Sequence, residues 1–199
     1  MHRLCRQLRL GFRAIRFYRP CRQDREKQKL LVLEELFRVA NDYLDQQGIE
    51  YWITLGTLLG YYRENNLITH DTDIDFGMHE KDFNKVLSGA SRLPAGFRLF
   101  NTTFDHRGPK LYIEHKGWEA DLYFFEDTQS ELRSYIKTEE GGESKPFPKN
   151  LVYPLQKAEF LGVETRIPAN PKTLLEHFYG YIGADAERDP DTGYWYRKN

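Results

Sequence analysis

The sequence predicts an α+β fold in which helices flank a mixed β-sheet. Three observations lead to this prediction. Apolar residues recur at helical spacing near residue 30 and again near residue 175, and between them lie short segments in which polar and apolar residues alternate. The chain has 199 residues, of which 40% are apolar, and this suits one domain with its own core.

The first predicted element is an amphipathic helix over roughly 25–48, ended by Gly48, because glycine suits the backbone of a helix C-terminus. Gly56 and Thr57 are predicted to turn the chain between a strand and a short helix. Residues 138–150, with two glycines and two prolines, are predicted to form a loop. The remaining predicted helices cover 58–63, 80–88 and 174–179. The predicted strands are 51–54, 73–76, 97–100, 110–115 and 119–125, the last three antiparallel, and a hairpin is predicted around Gly162 within 151–167.

Charge is distributed unevenly along the chain. Residues 1–29 contain ten Lys or Arg and two Asp or Glu, whereas the whole chain has a formal net charge of −1. Residues 1–24 are therefore predicted to form a basic amphipathic arm, separate from a domain over 25–199. Such an arm can lie on an anionic membrane surface; the alternatives are a solvated helix packed on the domain or a disordered arm. The acidic remainder argues against specific nucleic-acid binding.

The cysteines indicate the compartment. Cys5 and Cys21 are too few for a disulfide framework, and this indicates a reducing environment. The N-terminus lacks the continuous apolar segment of a secretory signal, and no uncharged apolar run is long enough to cross a bilayer. These features predict a cytoplasmic protein, with the arm as a candidate for contact with the inner face of the membrane.

The carboxylates of Asp73 and Asp75 form the clearest candidate site. Residues two apart on a strand point to the same face, so these side chains project together while Ile74 points into the core. Paired carboxylates repel each other, and a hard cation such as Mg²⁺ relieves that repulsion; Mn²⁺ is an alternative. Asp121, on a later predicted strand, could supply a third ligand. The alternative is a solvated acidic turn, although the apolar residues that alternate with the acids make that reading less natural.

Gly56 and Thr57 add a candidate phosphate site. A glycine between a strand and a helix lets the backbone approach a ligand closely, and a helix N-terminus presents unpaired N–H groups that bind phosphate. Thr57 adds a hydroxyl donor. Without the carboxylates, a purely structural turn would be the default interpretation. With them, the combination favours phosphoryl or nucleotidyl transfer.

Two residues beside the acids are candidates for indirect roles. Asp71 could orient Arg63 or a metal-bound water, and His70 could act as a base or a neighbour of the metal, with a surface histidine as the alternative. Cations in the turn 106–110 could touch phosphate, and a solvated turn is the alternative there.

These residues resemble the nucleotidyltransferase superfamily, and within it the LicD family most closely. The resemblance covers about residues 30–183. The matching motifs, in chain order, are Leu55-Gly56-Thr57-Leu58-Leu59-Gly60, Arg63, Ile68, Asp71-Thr72-Asp73-Ile74-Asp75, Tyr153-Pro154-Leu155, Phe160 with Gly162, Ile167-Pro168, and Leu175 through Tyr179-Gly180.

The resemblance implies a nucleotidyltransferase-like mixed sheet and a phosphotransferase. LicD-like families include phosphocholine transferases that act on cell-surface glycans and fukutin-type ribitol-phosphate transferases. The chain would then move a phospho-substituent from a CDP-linked donor to a hydroxyl of a glycan acceptor. Asp73 and Asp75 would hold Mg²⁺ on the donor diphosphate, and Asp121 would complete the metal site or accept the acceptor's proton. Gly56, Thr57 and Arg63 would bind donor phosphate.

Two other functions remain open at this point. One is transfer of NMP from an NTP to a small molecule, and the other is a catalytically silent binding module with the same fold. The chain is short for a LicD-like enzyme, which suggests reduced acceptor-recognition segments.

Overall fold

Four helices and eleven strands make up the described part of the chain, which in this computed structural model comprises residues 22–105, 108–134, 146–190 and 194–198. The helices are α1 (Arg22–Gln46), α2 (Leu55–Glu64), α3 (Phe83–Ser88) and α4 (Pro171–Tyr179). The strands are β1 (Tyr51–Ile53), β2 (Asp73–His79), β3 (Arg98–Asn101), β4 (Lys110–His115), β5 (Trp118–Thr128), β6 (Glu131–Ser134), β7 (Phe147–Pro148), β8 (Gln156–Phe160), β9 (Val163–Ile167), β10 (Ala186–Arg188) and β11 (Trp195–Arg197).

The main sheet is mixed and has the strand order β1-β2-β5-β4-β3, with β6 and β7 extending it beside β5. All its pairings are antiparallel except that of β2 with β5, which run parallel. The parallel register sets Asp73 opposite Glu119 and Asp75 opposite Asp121. This pairing brings the later predicted carboxylate beside the first two.

Helix α1 covers one face of the sheet. Its residues Leu33, Leu36, Phe37, Ala40 and Leu44 are fully buried, and Phe37 stacks on Phe76 of β2 with ring centroids 5.6 Å apart. The hairpin of β8 and β9 closes over the same helix, since Phe160 meets Phe37 edge-on at 5.1 Å. Truncating Phe37 to alanine would cost about 3–5 kcal/mol, the usual range for a buried phenylalanine.

On the other side of the chain's core, α2 packs against β2 and α4. Tyr61 of α2 also contacts Phe160 of the hairpin, with centroids 5.6 Å apart. The N-terminus of α2 is thereby fixed directly beside the start of β2, where the predicted acids lie.

The structure confirms most predicted elements and corrects some of their limits. The helix predicted at 58–63 begins earlier, at Leu55, so Gly56 and Thr57 lie in its first turn and not before it. Leu55 itself adopts a positive φ of 44°, an abrupt change of direction that periodicity does not reveal. The segment 80–88 begins as a 3₁₀ turn and becomes α-helical only at Phe83.

Further differences lie in the second half of the chain. Of the loop predicted at 138–150, residues 138–145 lie outside the described part, and Phe147–Pro148 pair with β6 as a short strand. The hairpin around Gly162 is confirmed, with Gly162 at a positive φ of 78°. The two-stranded sheet of β10 and β11 was not predicted, because three-residue strands are too short to show an alternating pattern.

The basic arm predicted at 1–24 falls almost wholly outside the described residues, which begin within α1. Among the helices that are described, none combines the length and apolar character needed to cross a membrane.

Candidate active site

Three carboxylates converge where β2 and β5 run side by side. One oxygen from each of Asp73, Asp75 and Asp121 lies within 4.8 Å of the others. Strand alternation puts Asp73 and Asp75 on one face, and the parallel register adds Asp121 from the neighbouring strand. The predicted convergence is therefore present in the structure, although a role for these acids in binding or catalysis remains a prediction.

These acids are buried and electrostatically strained. Asp75 is only 4% exposed, and burial, followed by the charges of Asp73 and Asp121, raises its pKa well above the ordinary value. Burial, with a smaller effect of Asp71 and Asp121, raises the pKa of Asp73 to about 6. Both shifts favour the neutral acids, so the ionised cluster needs a compensating positive charge.

Asp121 is held by its Oδ2 atom, while its Oδ1 atom has no hydrogen-bond partner. Oδ2 accepts hydrogen bonds from Lys110 Nζ at 2.8 Å and from the Tyr123 hydroxyl at 2.7 Å. Oδ1 is buried and unpaired, which is costly for a polar atom. A buried carboxylate oxygen without a partner, next to two further carboxylates, is suited to binding a hard cation.

Gly56 and Thr57 lie against the acids. The Asp75 main-chain N–H donates to Thr57 Oγ1 at 2.8 Å, and the Thr57 N–H donates to Asp75 Oδ2 at 3.3 Å. A Cβ atom at Gly56 would lie 2.5 Å from Asp71 Oδ2 and 3.3 Å from Asp75 Oδ2. A side chain at this position would therefore have to displace the Asp71 carboxylate from the first turn of α2.

Arg63 has contacts other than those predicted for it. Its guanidinium donates to the main-chain carbonyls of Ile182, at 3.1 and 2.9 Å, and of Gly183, at 3.2 Å. These bonds attach the segment after α4 to the C-terminal end of α2. The donor-phosphate role predicted for Arg63 finds no support in these contacts.

The two residues predicted to act indirectly differ in their positions. Asp71 lies close enough that its charge raises the pKa of both Asp73 and Asp75, and its own carbonyl accepts a hydrogen bond from Lys29 Nζ at 2.6 Å. His70 is exposed in the turn before β2. Asp71 thus belongs to the acidic cluster, whereas His70 lies at its edge.

Three further residues surround the cluster. The sequence analysis placed Lys110 among the cations of the turn 106–110 that could touch phosphate, but it assigned none of the three to the acidic cluster. Lys110 and Tyr123 contact Asp121, and burial together with the charges of Asp75, Asp71 and Asp73 raises the pKa of Tyr179. Tyr123 could have been found, because it lies two residues after Asp121 on the same strand face. Lys110 and Tyr179 come from other elements, so only the fold brings them close.

Comparison with protein families places most of the chain in one of them. The model of LicD/FKTN/FKRP, nucleotidyltransferase domain, matches residues 48–170, which is more than half of the chain and includes all three carboxylates.

Individual relatives are more distant. The ribitol-5-phosphate transferase FKTN of Homo sapiens is 28% identical over 152 residues, which cover 74% of this chain and 32% of FKTN. The ribitol 5-phosphate transferase FKRP of Homo sapiens is 26% identical over 167 residues, covering 76% of this chain and 32% of FKRP. An uncharacterized protein of Rickettsia typhi is 28% identical over 156 residues, 77% of this chain and 47% of its own. The chain thus spans between a third and a half of these relatives.

Solved structures with a similar arrangement include the antibiotic-resistance factor ANT(2")-Ia in complex with adenylyl-2"-tobramycin. It gives a TM-score of 0.48 at 14% identity and covers 69% of each chain. The lincosamide antibiotic adenylyltransferase LnuA gives 0.45 at 15% identity, covering 72% of this chain and 84% of its own.

Proposed function

The chain belongs to the LicD/FKTN/FKRP family, and from this premise we propose that it transfers a substituted phosphate group from a CDP-activated donor to a hydroxyl of a glycan. We propose Mg²⁺ as its cofactor, with Mn²⁺ as a substitute. The observation that carries the proposal is the cluster of Asp73, Asp75 and Asp121, in which a buried carboxylate oxygen has no partner.

The acids fit a hard divalent cation by their chemistry. All offered atoms are carboxylate oxygens, the ligand type that Mg²⁺ prefers. Asp73, Asp75 and the Oδ1 atom of Asp121 would hold the ion, which when bound would neutralise charge on the donor phosphates. The raised pKa values of Asp73 and Asp75 support this assignment, because such values mark carboxylates that lack a positive partner.

The residues of α2 would position the donor. The first turn of a helix attracts phosphate oxygens, and Gly56 leaves its backbone open to close approach. The Thr57 hydroxyl already accepts from Asp75, so its own proton remains available to donate to a phosphate oxygen. We keep Gly56 and Thr57 in the proposed donor site and assign Arg63 to holding the segment after α4.

The surroundings of Asp121 suit a second role besides metal binding, namely contact with the acceptor. Its Oδ2 atom lies between an ammonium and a phenol, and it faces β4 on the side of the cluster away from α2. A phosphoryl acceptor must approach from the side opposite the leaving group. We therefore propose that Asp121 orients the acceptor hydroxyl and takes its proton.

The family's relatives direct the choice of donor. FKTN and FKRP are named ribitol-5-phosphate transferases, and so a polyol-phosphate donor is the first candidate and phosphocholine the second. The experiment that tests the proposal is a screen of CDP-ribitol, CDP-glycerol, CDP-choline and simple NTPs with Mg²⁺. Release of CMP from a CDP-linked compound is the expected result, and it requires no knowledge of the acceptor, because water can substitute slowly for it.

The matched control is Asp75→Asn, which keeps the size of the side chain. We expect it to abolish CMP release while circular dichroism shows an unchanged fold. Pyrophosphate release from an NTP would overturn the proposal in favour of nucleotidyl transfer. If no donor is turned over, either with or without Mg²⁺, the chain would instead be a catalytically silent binding module.

A further inference from the structure

We propose that Lys110 is an internal counter-cation of the acidic cluster that couples metal binding to donor binding. Without metal, its ammonium neutralises Asp121; with metal bound, it repels the ion until a donor phosphate pairs with it. The inference rests on the metal site of the proposed function and adds a residue to which neither the family match nor the motifs assign a role.

The position of Lys110 supports this role. Its Nζ lies 2.8 Å from Asp121 Oδ2 and 4.8 Å from the centre of the Tyr123 ring. The Lys110 side chain is 20% exposed and that of Asp121 only 8%. The Lys110 side chain is thus mostly covered but keeps some contact with solvent, from which a ligand could reach it.

The charge balance explains why this cation matters. Carboxylate oxygens of Asp73, Asp75 and Asp121 lie within 4.8 Å of one another, and the carboxylates of Asp71 and Asp75 both lie against Gly56. Within the described residues, ion pairing of these four side chains is confined to Lys110. Among the described residues, Lys110 is therefore the cation paired with this group of four acids, and a divalent ion bound by them would lie close to its ammonium.

Electrostatics then fixes the sign of the coupling. A unit positive charge a few ångströms from a divalent ion weakens binding of that ion, even when solvent screens the interaction. A donor phosphate that pairs with the ammonium removes this penalty. Metal and donor should therefore each strengthen the binding of the other, by equal factors.

The test is a Mn²⁺ titration followed by electron paramagnetic resonance, with and without CDP-ribitol, on the full chain. Lys110→Met keeps the length of the side chain and removes its charge, while Lys110→Arg keeps the charge. For Lys110→Met we expect Mn²⁺ alone to bind about fivefold more tightly, the scale of a partly exposed ion pair. CDP-ribitol should then increase Mn²⁺ affinity less in Lys110→Met than in the unmodified protein.

Two controls separate charge from geometry. Tyr123→Phe removes the other hydrogen bond to the same Asp121 oxygen without changing charge, so it should not tighten Mn²⁺ binding. Lys149→Met removes a lysine that pairs with Asp127, which lies on β5 six residues beyond Asp121, and should leave Mn²⁺ binding unchanged. Asp73→Asn, which should lose Mn²⁺, shows that the titration reports this site.

Each result bears on the proposal. Unchanged or weaker Mn²⁺ binding in Lys110→Met would overturn it, because Lys110 would then only position Asp121. If the unmodified protein binds Mn²⁺, Asp73→Asn does not, and Lys110→Met is no tighter, the counter-cation fails while the metal site stands. Absence of Mn²⁺ binding in both the unmodified protein and Lys110→Met would overturn both. Should Lys110→Met fold poorly, Lys110→Gln gives the same comparison of charge.

Discussion

Without metal, the raised pKa of Asp73 should make the protein less stable as pH rises from about 4 to about 6. The pKa of Asp73 is raised to about 6 in the fold, so the folded protein holds a proton there that the unfolded chain releases near pH 4. A group with a raised carboxyl pKa favours the fold below its unfolded pKa. That contribution is lost progressively as pH rises from about 4 to about 6.

The magnitude follows from the shift and the exposure of Asp73. A shift of about two pKa units corresponds to ~2.7 kcal/mol over the whole pH range, of which roughly half falls between pH 5 and 7.5. Asp73 is only partly buried, so solvent screening reduces this further, to about 1 kcal/mol. For a chain of this length, that free-energy difference lowers Tm by about 2–4 °C.

The assay compares thermal unfolding of the protein and of Asp73→Asn in EDTA at pH 5 and pH 7.5. His79 requires this control, because burial lowers its pKa and makes the fold less stable towards acid, the opposite trend. The difference in Tm between the unmodified protein and Asp73→Asn removes the contribution of His79, because that contribution is the same in both. Adding Mg²⁺ at 100 times its Kd should raise the stability of the unmodified protein at pH 7.5 by about 2.7 kcal/mol.

One outcome would refute this reasoning. If the pH dependence of Tm in EDTA is the same for both proteins, Asp73 is not electrostatically strained in the fold. The inferred need for a cation would then lose its physical basis, whatever the activity of the enzyme.

The remaining predictions concern Gly56, Gly77 and residues 1–21. Gly56→Ala should weaken Mn²⁺ binding at least tenfold, because its Cβ would lie 2.5 Å from Asp71 Oδ2, yet stability should change by less than about 1 kcal/mol, since alanine favours the helix. Gly77→Ala should cost about 1–3 kcal/mol in urea denaturation, because its Cβ would lie 2.5–2.8 Å from the Trp52 indole. Deletion of residues 1–21, which keeps α1, should lower binding to anionic vesicles and leave soluble turnover unchanged.

Contrary results would be informative for each. Unchanged Mn²⁺ affinity in Gly56→Ala would mean that Asp71 moves freely and that the cluster is looser than described. Full stability of Gly77→Ala would require the Trp52 ring to shift. Equal vesicle binding by the shortened chain would show that the predicted arm is not a membrane element.

The sequence was a good guide wherever a pattern is local. Alternation around Ile74 was enough to place Asp73 and Asp75 on one face of a strand, and helical spacing located α1 and α4. The paired strands predicted around Gly162 are likewise formed by residues close together in the chain. In each case the signal and the structure involve residues only a few positions apart.

Features that depend on the fold were harder to predict. Lys110 lies eleven residues before Asp121 in the chain, on the neighbouring strand, two residues from the position directly opposite Asp121. The periodicity of the sequence carries no information about such cross-strand pairs. The contacts of Arg63 were equally beyond prediction, and its donor-phosphate role stays a prediction. Its position next to the motif favoured a ligand role, but the structure engages its guanidinium with carbonyls of the segment after α4. Whether a long cationic side chain binds a ligand or another part of the protein can therefore be assigned only once its tertiary contacts are known.

The parallel pairing of β2 with β5 has a consequence for how this protein reaches its native state. Asp75 and Asp121 come from positions about 45 residues apart and become neighbours only in one alignment of the two strands. A slip of one residue would turn Asp121 to the opposite face of the sheet and leave no third ligand. Pairing between such distant segments is slow compared with local hairpins. The appearance of the proposed Mn²⁺ affinity during refolding would therefore show when this central alignment is completed, independent of any catalytic assay.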